Sequence, residues 1–176
     1  EFQHRVLAAA FDLLGATEPV LAEFDEAVAE GGDEMLACPL PPRHDPDAHP
    51  AVDEARGLRA AYDRGVEMSD GRIAAGRVVS ADDIPAAVEA FVRIAEGTPW
   101  KEAGIPGMPM RVSQDIRGYY ETAMLALVDH APAAWAGASW FLNETETGKV
   151  LMAAREEMQR QEAPQPMWFY LTPLDR

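Results

Sequence analysis

RVSQDIRGYYETAMLALVDHAPAAWAGASWFLNETETGKVLMAAREEMQRQ, residues 111–161, is the stretch on which the fold turns. Two amphipathic segments flank a short region of aromatic and small side chains. In the first, Ile116, Tyr120, Ala123, Leu127 and Ala131 recur at helical spacing, and Tyr119, Met124 and Val128 widen the stripe. Such a face has to be covered by other structure. Ser113 reads as the N-cap of this helix, with Asp115 near the positive end of its dipole. His130 falls in its last turn, ahead of Pro132, where a cation is favoured.

The second segment begins after residues 144–148. Its buried side is Val150, Leu151, Ala154 and Met158, and Arg155, Glu156, Glu157 and Arg160 read as the solvated side. Between the two, residues 131–143 set Trp135, Trp140 and Phe141 among Ala, Gly and Ser, a turn region in which rings can lie close to backbone. Large aromatics mostly serve as core. In the sharper reading Tyr119, Tyr120, Trp135 and Trp140 line a small-molecule pocket, with His130 as its acid or base.

Outward from this stretch, a helical hairpin is expected at the N-terminus. Phe2, Val6, Ala9, Ala10, Leu13 and Leu14 make one stripe that stops at Gly15. Thr17 then caps a second helix with Pro19 in its first turn and Val20, Leu21, Phe24, Ala27 and Val28 as its stripe, ending at Gly31 and Gly32. Glu18, Glu23, Asp25, Glu26 and Glu30 give that second helix an acidic outer side.

Residues 33–50 hold Pro39, Pro41, Pro42, Pro46 and Pro50, which neither a helix nor a central strand accommodates. This Pro-rich loop also gathers Cys38, His44, Asp45, Asp47 and His49, groups that zinc accepts. A metal site there is one reading, although the spacing lacks the close pairs that make a finger-like signal specific.

Helix resumes over residues 51–66 with Val52, Ala55, Leu58 and Tyr62 as its stripe; Asp53 and Glu54 favour its start and Arg59 and Arg64 its end. Met68, Ser69, Asp70 and Gly71 form a turn. Residues 80–83 open a short helix with Pro85 in its first turn, Ile84, Val88, Phe91 and Ala95 inward, and Gly97 as its stop. Residues 100–110 are irregular yet apolar, and Met108 and Met110 suit adaptable contacts, so this loop either lids the core or presents a binding surface. Two runs, 73–79 from Ile73 to Val79 and 167–171 from Met167 to Leu171, are strand-like and could pair.

Composition bounds the function. A length of 176 residues with 48% hydrophobic residues reads as one helical domain spanning 1–176, with 33–50 as an irregular loop within it. The formal charge of −15 opposes nucleic acid, whose recognition rests on Lys and Arg against phosphate, and opposes an anionic membrane surface. It suits a basic partner. No run of about 18 apolar residues appears, and one cysteine cannot form an internal disulfide, so a cytoplasmic protein is expected.

Catalytic signatures are missing: there is no glycine-rich phosphate cradle, and residues 137–141 lack the second glycine of a nucleophile elbow. Glu121 and His130 lie on opposite faces of one helix and cannot act as a pair. The expectation is an all-α protein of six or seven helices with at most a minor strand pair. It would serve as an accessory, adaptor or assembly protein that binds a protein partner through an apolar groove with an acidic rim. A small apolar ligand near Tyr119, Tyr120 and Trp135 is the alternative, and a metal held by the loop from Cys38 to His49 is the second.

Overall fold

Helical periodicity carries through: every regular element among the described residues is a helix, and none of them forms a strand. The computed structural model describes residues 2–26, 39–71, 75–129 and 136–172. Its contacts divide the chain into two units, Glu1–Gly32 and Asp33–Arg176. Eight α-helices are seen among the described residues, where the sequence suggested six or seven.

In the first unit, α1 (Phe2–Asp12) runs into a 3-10 turn, Leu13–Gly15. The expected second helix does not form: residues 16–26 have no regular structure, and the remainder of that reading, with Ala27, Val28, Gly31 and Gly32, lies outside the described residues. Helices draw most of their stability from burying a face, and none of the described residues of this unit is buried. What ties residues 16–26 to α1 is the ring of Phe24 edge-on to Phe2 at 5.9 Å and an Arg5–Glu26 ion pair.

The second unit holds the core. The single helix expected over 51–66 is two, α2 (Pro50–Gly57) and α3 (Arg59–Met68), joined at Leu58. Pro50 sits in the first turn of α2, and His49 caps it by accepting the Ala51 N–H on Nδ1 at 3.2 Å. The inward stripe survives the break: Val52, Ala55, Leu58 and Tyr62 are all buried. After a 3-10 turn, Ala81–Asp83, α4 (Ile84–Ala95) buries Ile84, Val88 and Phe91 as expected, and Gly97 ends it at φ +100°.

Helix α5 (Pro109–Leu125) starts four residues ahead of the expected Ser113 cap, with Pro109 in its first turn. Ser113 instead donates its hydroxyl to the Met110 carbonyl. The helix also ends early, at Leu125, although Leu127 and Val128 still pack on the core. A stripe records which side chains face inward, not where the backbone bonding stops.

Residues 136–144, expected as turn, are helix α6 (Ala136–Glu144), which buries Trp140 and Phe141. Helix α7 (Glu146–Arg160) buries Val150, Leu151, Ala154 and Met158. Glu157, expected on its wet side, is 6% exposed and takes Arg160 and Gln161 as partners.

Among the described residues no strand pair joins 75–79 to 167–171. Residues 72–74 lie outside the described residues, and 75–79 are irregular. Over 167–171 the chain makes a single turn, α8 (Gln165–Trp168), then buries Leu171. A run of apolar residues is what a buried helical turn and a strand have in common, and here Pro166 in the first turn favours the helix.

Helix α5 packs along α3, α7 lies against α4, and α2 touches both α4 and α7. The approach of α3 to α5 is close enough to require glycine. A Cβ on Gly65 would stand 2.0 Å from the backbone oxygen of Thr122. Gly65→Ala is therefore expected to cost about 3 kcal/mol, seen as a lower urea midpoint at unchanged slope; a loss below about 0.5 kcal/mol would contradict the packing of α3 on α5.

Candidate functional site

Helix α2 buries five consecutive residues, Ala51 to Ala55, two of them acids. Glu54 is 8% exposed and Asp53 5%. A buried carboxylate is costly unless its oxygens are met by donors.

For Glu54 the donors come from the start of α7. Its Oε2 accepts the Glu146 N–H at 2.9 Å, and its Oε1 accepts the Thr147 N–H at 3.1 Å and the Tyr120 hydroxyl at 2.9 Å. The Thr147 hydroxyl lies 2.7 Å from the Tyr120 oxygen and 3.2 Å from the Ala51 carbonyl. Thr145, the N-cap, accepts the Gly148 N–H at 2.9 Å and donates to the Phe141 carbonyl, joining α6 to α7. The first three N–H groups of α7, which a helix cannot satisfy for itself, are thus all met by side chains.

Burial is the strongest influence on the Glu54 carboxyl and lifts it above the ordinary carboxylate range, against the pull of the Glu146 and Thr147 N–H groups and of the hydroxyls. Burial likewise pushes the Tyr120 hydroxyl well up, with Glu54 adding to it.

Two other helix-borne acids do the same work on irregular segments. Asp53 accepts the N–H groups of His44 and Asp45. The His44 bond is the main reason its carboxyl sits below the usual range, with burial opposing and the Asp45 bond assisting. Asp115 in α5 accepts four consecutive N–H groups, those of Gly76, Arg77, Val78 and Val79, at 2.7–3.2 Å. Burial pushes its carboxyl up, but the four N–H bonds together outweigh that and hold it low.

Asp53, Glu54 and Glu146 border a cleft of about 420 Å³ whose other walls are Leu40, Pro41, Arg43 and Pro50. That volume falls within the span of small-ligand sites. The polar groups around it are largely engaged within the protein. Arg43 donates to the carbonyls of Asp45, Pro46 and Ala48, and the two buried acids hold backbone N–H groups. Glu146, half exposed and paired with Lys149, is the carboxylate that faces solvent. Leu40, Pro41 and Pro50 leave the cleft an apolar floor.

The residues singled out from sequence divide into three groups. Tyr119, Tyr120 and Trp140 come together in the core. Tyr119 stacks on Tyr62 at 4.6 Å and donates to the Ala55 carbonyl; Tyr120 meets Phe141 at 5.1 Å and Trp140 at 6.3 Å. Their exposures, 1%, 0% and 3%, are those of core side chains. Met108 and Met110 stand apart, at the first turn of α5, roughly 15 Å along the helix from the tyrosines. Met108 is 43% exposed and Met110 half-buried. Trp135 and His130 lie outside the described residues, as does Cys38 of the suggested metal loop.

In that loop His49 Nδ1 takes the Ala51 N–H, Asp45 takes the Asp47 and Ala48 N–H groups, and among the described residues no three His, Cys, Asp or Glu groups converge as metal ligands. Scans against protein-family models, curated proteins and solved structures found no match for this chain.

Sequence reasoning passed over the buried acids. It placed Asp53, Glu54 and Asp115 at helix starts as partners of the dipole. For two of them the available signal was register: Ala51, Glu54 and Leu58 share one side of α2, and Val112, Asp115 and Tyr119 one side of α5, so Glu54 and Asp115 each stand in an apolar stripe.

The pH dependence follows from the directions of the shifts. A folded chain that raises the Glu54 carboxyl binds its proton more tightly than the unfolded chain, so this contribution to stability is fully present below the ordinary carboxylate value and is lost as pH rises through the raised one. Asp53 and Asp115, held low, contribute above the ordinary value and lose their contribution as pH falls. The stability of the wild type minus that of Glu54→Gln is therefore expected to shrink as pH climbs from about 4 to about 7, measured by urea unfolding at each pH; a flat or growing difference would contradict it. Asp115→Asn, which turns an amide group toward N–H donors, is expected to cost about 3 kcal/mol near neutral pH.

Proposed function

We propose that this protein acts by binding, as an accessory, adaptor or assembly-type component, and that it holds a protein partner in the cleft between the 40–50 segment and α2. The observation that carries this reading is the state of the cleft's polar groups. Glu54, Asp53 and Arg43 are already engaged with backbone groups of the protein, which favours a receptor for shape and apolar surface over a site of proton transfer. An extended segment of the partner would lay an apolar side chain on Leu40, Pro41 and Pro50 and set a cationic neighbour against Glu146. The charge of −15 supports a basic partner and speaks against nucleic acid. Among the described residues no helix is long and apolar enough to cross a membrane.

The alternative of a small apolar ligand beside Tyr119, Tyr120 and Trp135 has less support, because both tyrosine hydroxyls are bonded internally and their rings pack on other rings.

Native mass spectrometry of the protein purified gently from its own cells tests the proposal. A second polypeptide at fixed stoichiometry is expected. A lone chain carrying a small bound mass would overturn it in favour of a ligand pocket. If a polypeptide is found, Gly57→Ala locates its seat, since a Cβ there would stand 2.8 Å from Pro41 Cγ and push that wall of the cleft. Binding is expected to weaken about tenfold, equivalent to about 1.4 kcal/mol; unchanged binding would move the partner to another surface.

A further inference from the structure

The first unit offers an apolar surface of its own. On α1, Phe2, Val6 and Ala9 are half-buried, on the side where Phe24 meets Phe2. Another side carries Leu7 and Phe11 at i and i+4, 52% and 66% exposed, and Leu14, in the 3-10 turn that follows, is 80% exposed. Large apolar side chains at that spacing form one ridge along a helix. Val20 at 54% and Leu21 at 98% add exposed apolar surface within the same unit. Scattered exposed leucines are ordinary, but a periodic ridge on a helix with no buried residue is not.

We infer that this ridge docks into an apolar groove of a different protein chain, one edged with Lys and Arg. Charge selects that occupant. Residues 2–26 carry Asp12, Glu18, Glu23, Asp25 and Glu26 against Arg5 alone among Lys and Arg, and Arg5 is already paired with Glu26. A second copy of the chain, at −15, would bring like charge to the same contact, and an anionic lipid surface would repel it in the same way. A groove with basic edges gains twice: its floor takes Leu7 and Phe11, and its Lys and Arg are drawn by the net negative charge of residues 2–26. The helix itself, 11 residues with no buried side chain, gains from the contact too, because short helices are marginal until a face is covered.

The test places a photo-cross-linking phenylalanine analogue at position 11 of the full chain in its own cells, and sequences the cross-linked peptide. The peptide is expected to come from another protein, from an apolar segment flanked by Lys or Arg. With that protein purified, Phe11→Ala is expected to weaken its binding roughly thirtyfold, and added salt to weaken the wild-type complex further. Gln159→Ala, an exposed and uncharged change in the second unit, is expected to leave affinity unchanged. Cross-links to a second copy, to lipid or to nothing would overturn the inference, as would an affinity that Phe11→Ala leaves intact. Because Phe11 lies outside the core, a folded second unit with lost binding separates docking from misfolding, and Gly57→Ala reports on the cleft independently.

Discussion

The carboxylate of Glu54 on the first N–H groups of α7 is the contact on which the larger unit depends. It solves two problems of burial at once. A carboxylate carried into the interior by α2 needs donors, and a helix that starts in the interior has N–H groups with no partner of their own. Each is the other's answer, and the dipole of α7 adds a favourable charge at that end. The hydroxyl of Tyr120 brings α5 into the same junction, and Thr147 reaches back to α2. Three helices far apart in sequence are registered against one another by a handful of polar atoms within an otherwise apolar core.

The same principle accounts for the irregular segments. Residues 39–49 and 75–80 have no helix or sheet to absorb their backbone N–H groups, and in the first of them Pro39, Pro41, Pro42 and Pro46 forbid one. Asp53 takes two of those groups and Asp115 four. Because both acids sit on rigid, buried helices, the loops they hold become fixed walls. For the 40–50 segment that fixing is what gives the cleft its shape: Pro41 and Arg43 are placed by bonds that run through Asp53 and through the carbonyls of residues 45–48.

Much of this arrangement is legible in the residues. The stripes of α2 to α5 and α7 name most of their buried apolar side chains, Gly97 and Pro85 mark the limits of α4, and the rings Tyr119, Tyr120 and Trp140 fall in the core that their size predicts. Helix ends are less legible, because Leu127 and Val128 satisfy the pattern by packing after the helix has stopped. Helix α6 is hidden by composition: small residues signal close approach as readily as a turn, and only Trp140 and Phe141 are buried. The second N-terminal helix is lost for the opposite reason, since a stripe has force only where something covers it. The acids Glu54 and Asp115 are missed because a carboxylate beside a helix start is ordinarily wet, and only their register within an apolar stripe distinguishes them.

The junction at Glu54 can be tested atom by atom through amide hydrogen exchange, read by NMR, in the wild type and in Glu54→Gln. Glutamine keeps one acceptor, which the Tyr120 hydroxyl and the Thr147 N–H hold at Oε1, and turns its amide group toward the Glu146 N–H. If the carboxylate caps α7, the Glu146 amide exchanges much faster in the variant, while Thr147 and the interior of α7 keep their protection. Unchanged protection at Glu146 would contradict the capping role and, with it, the junction that registers α2, α5 and α7.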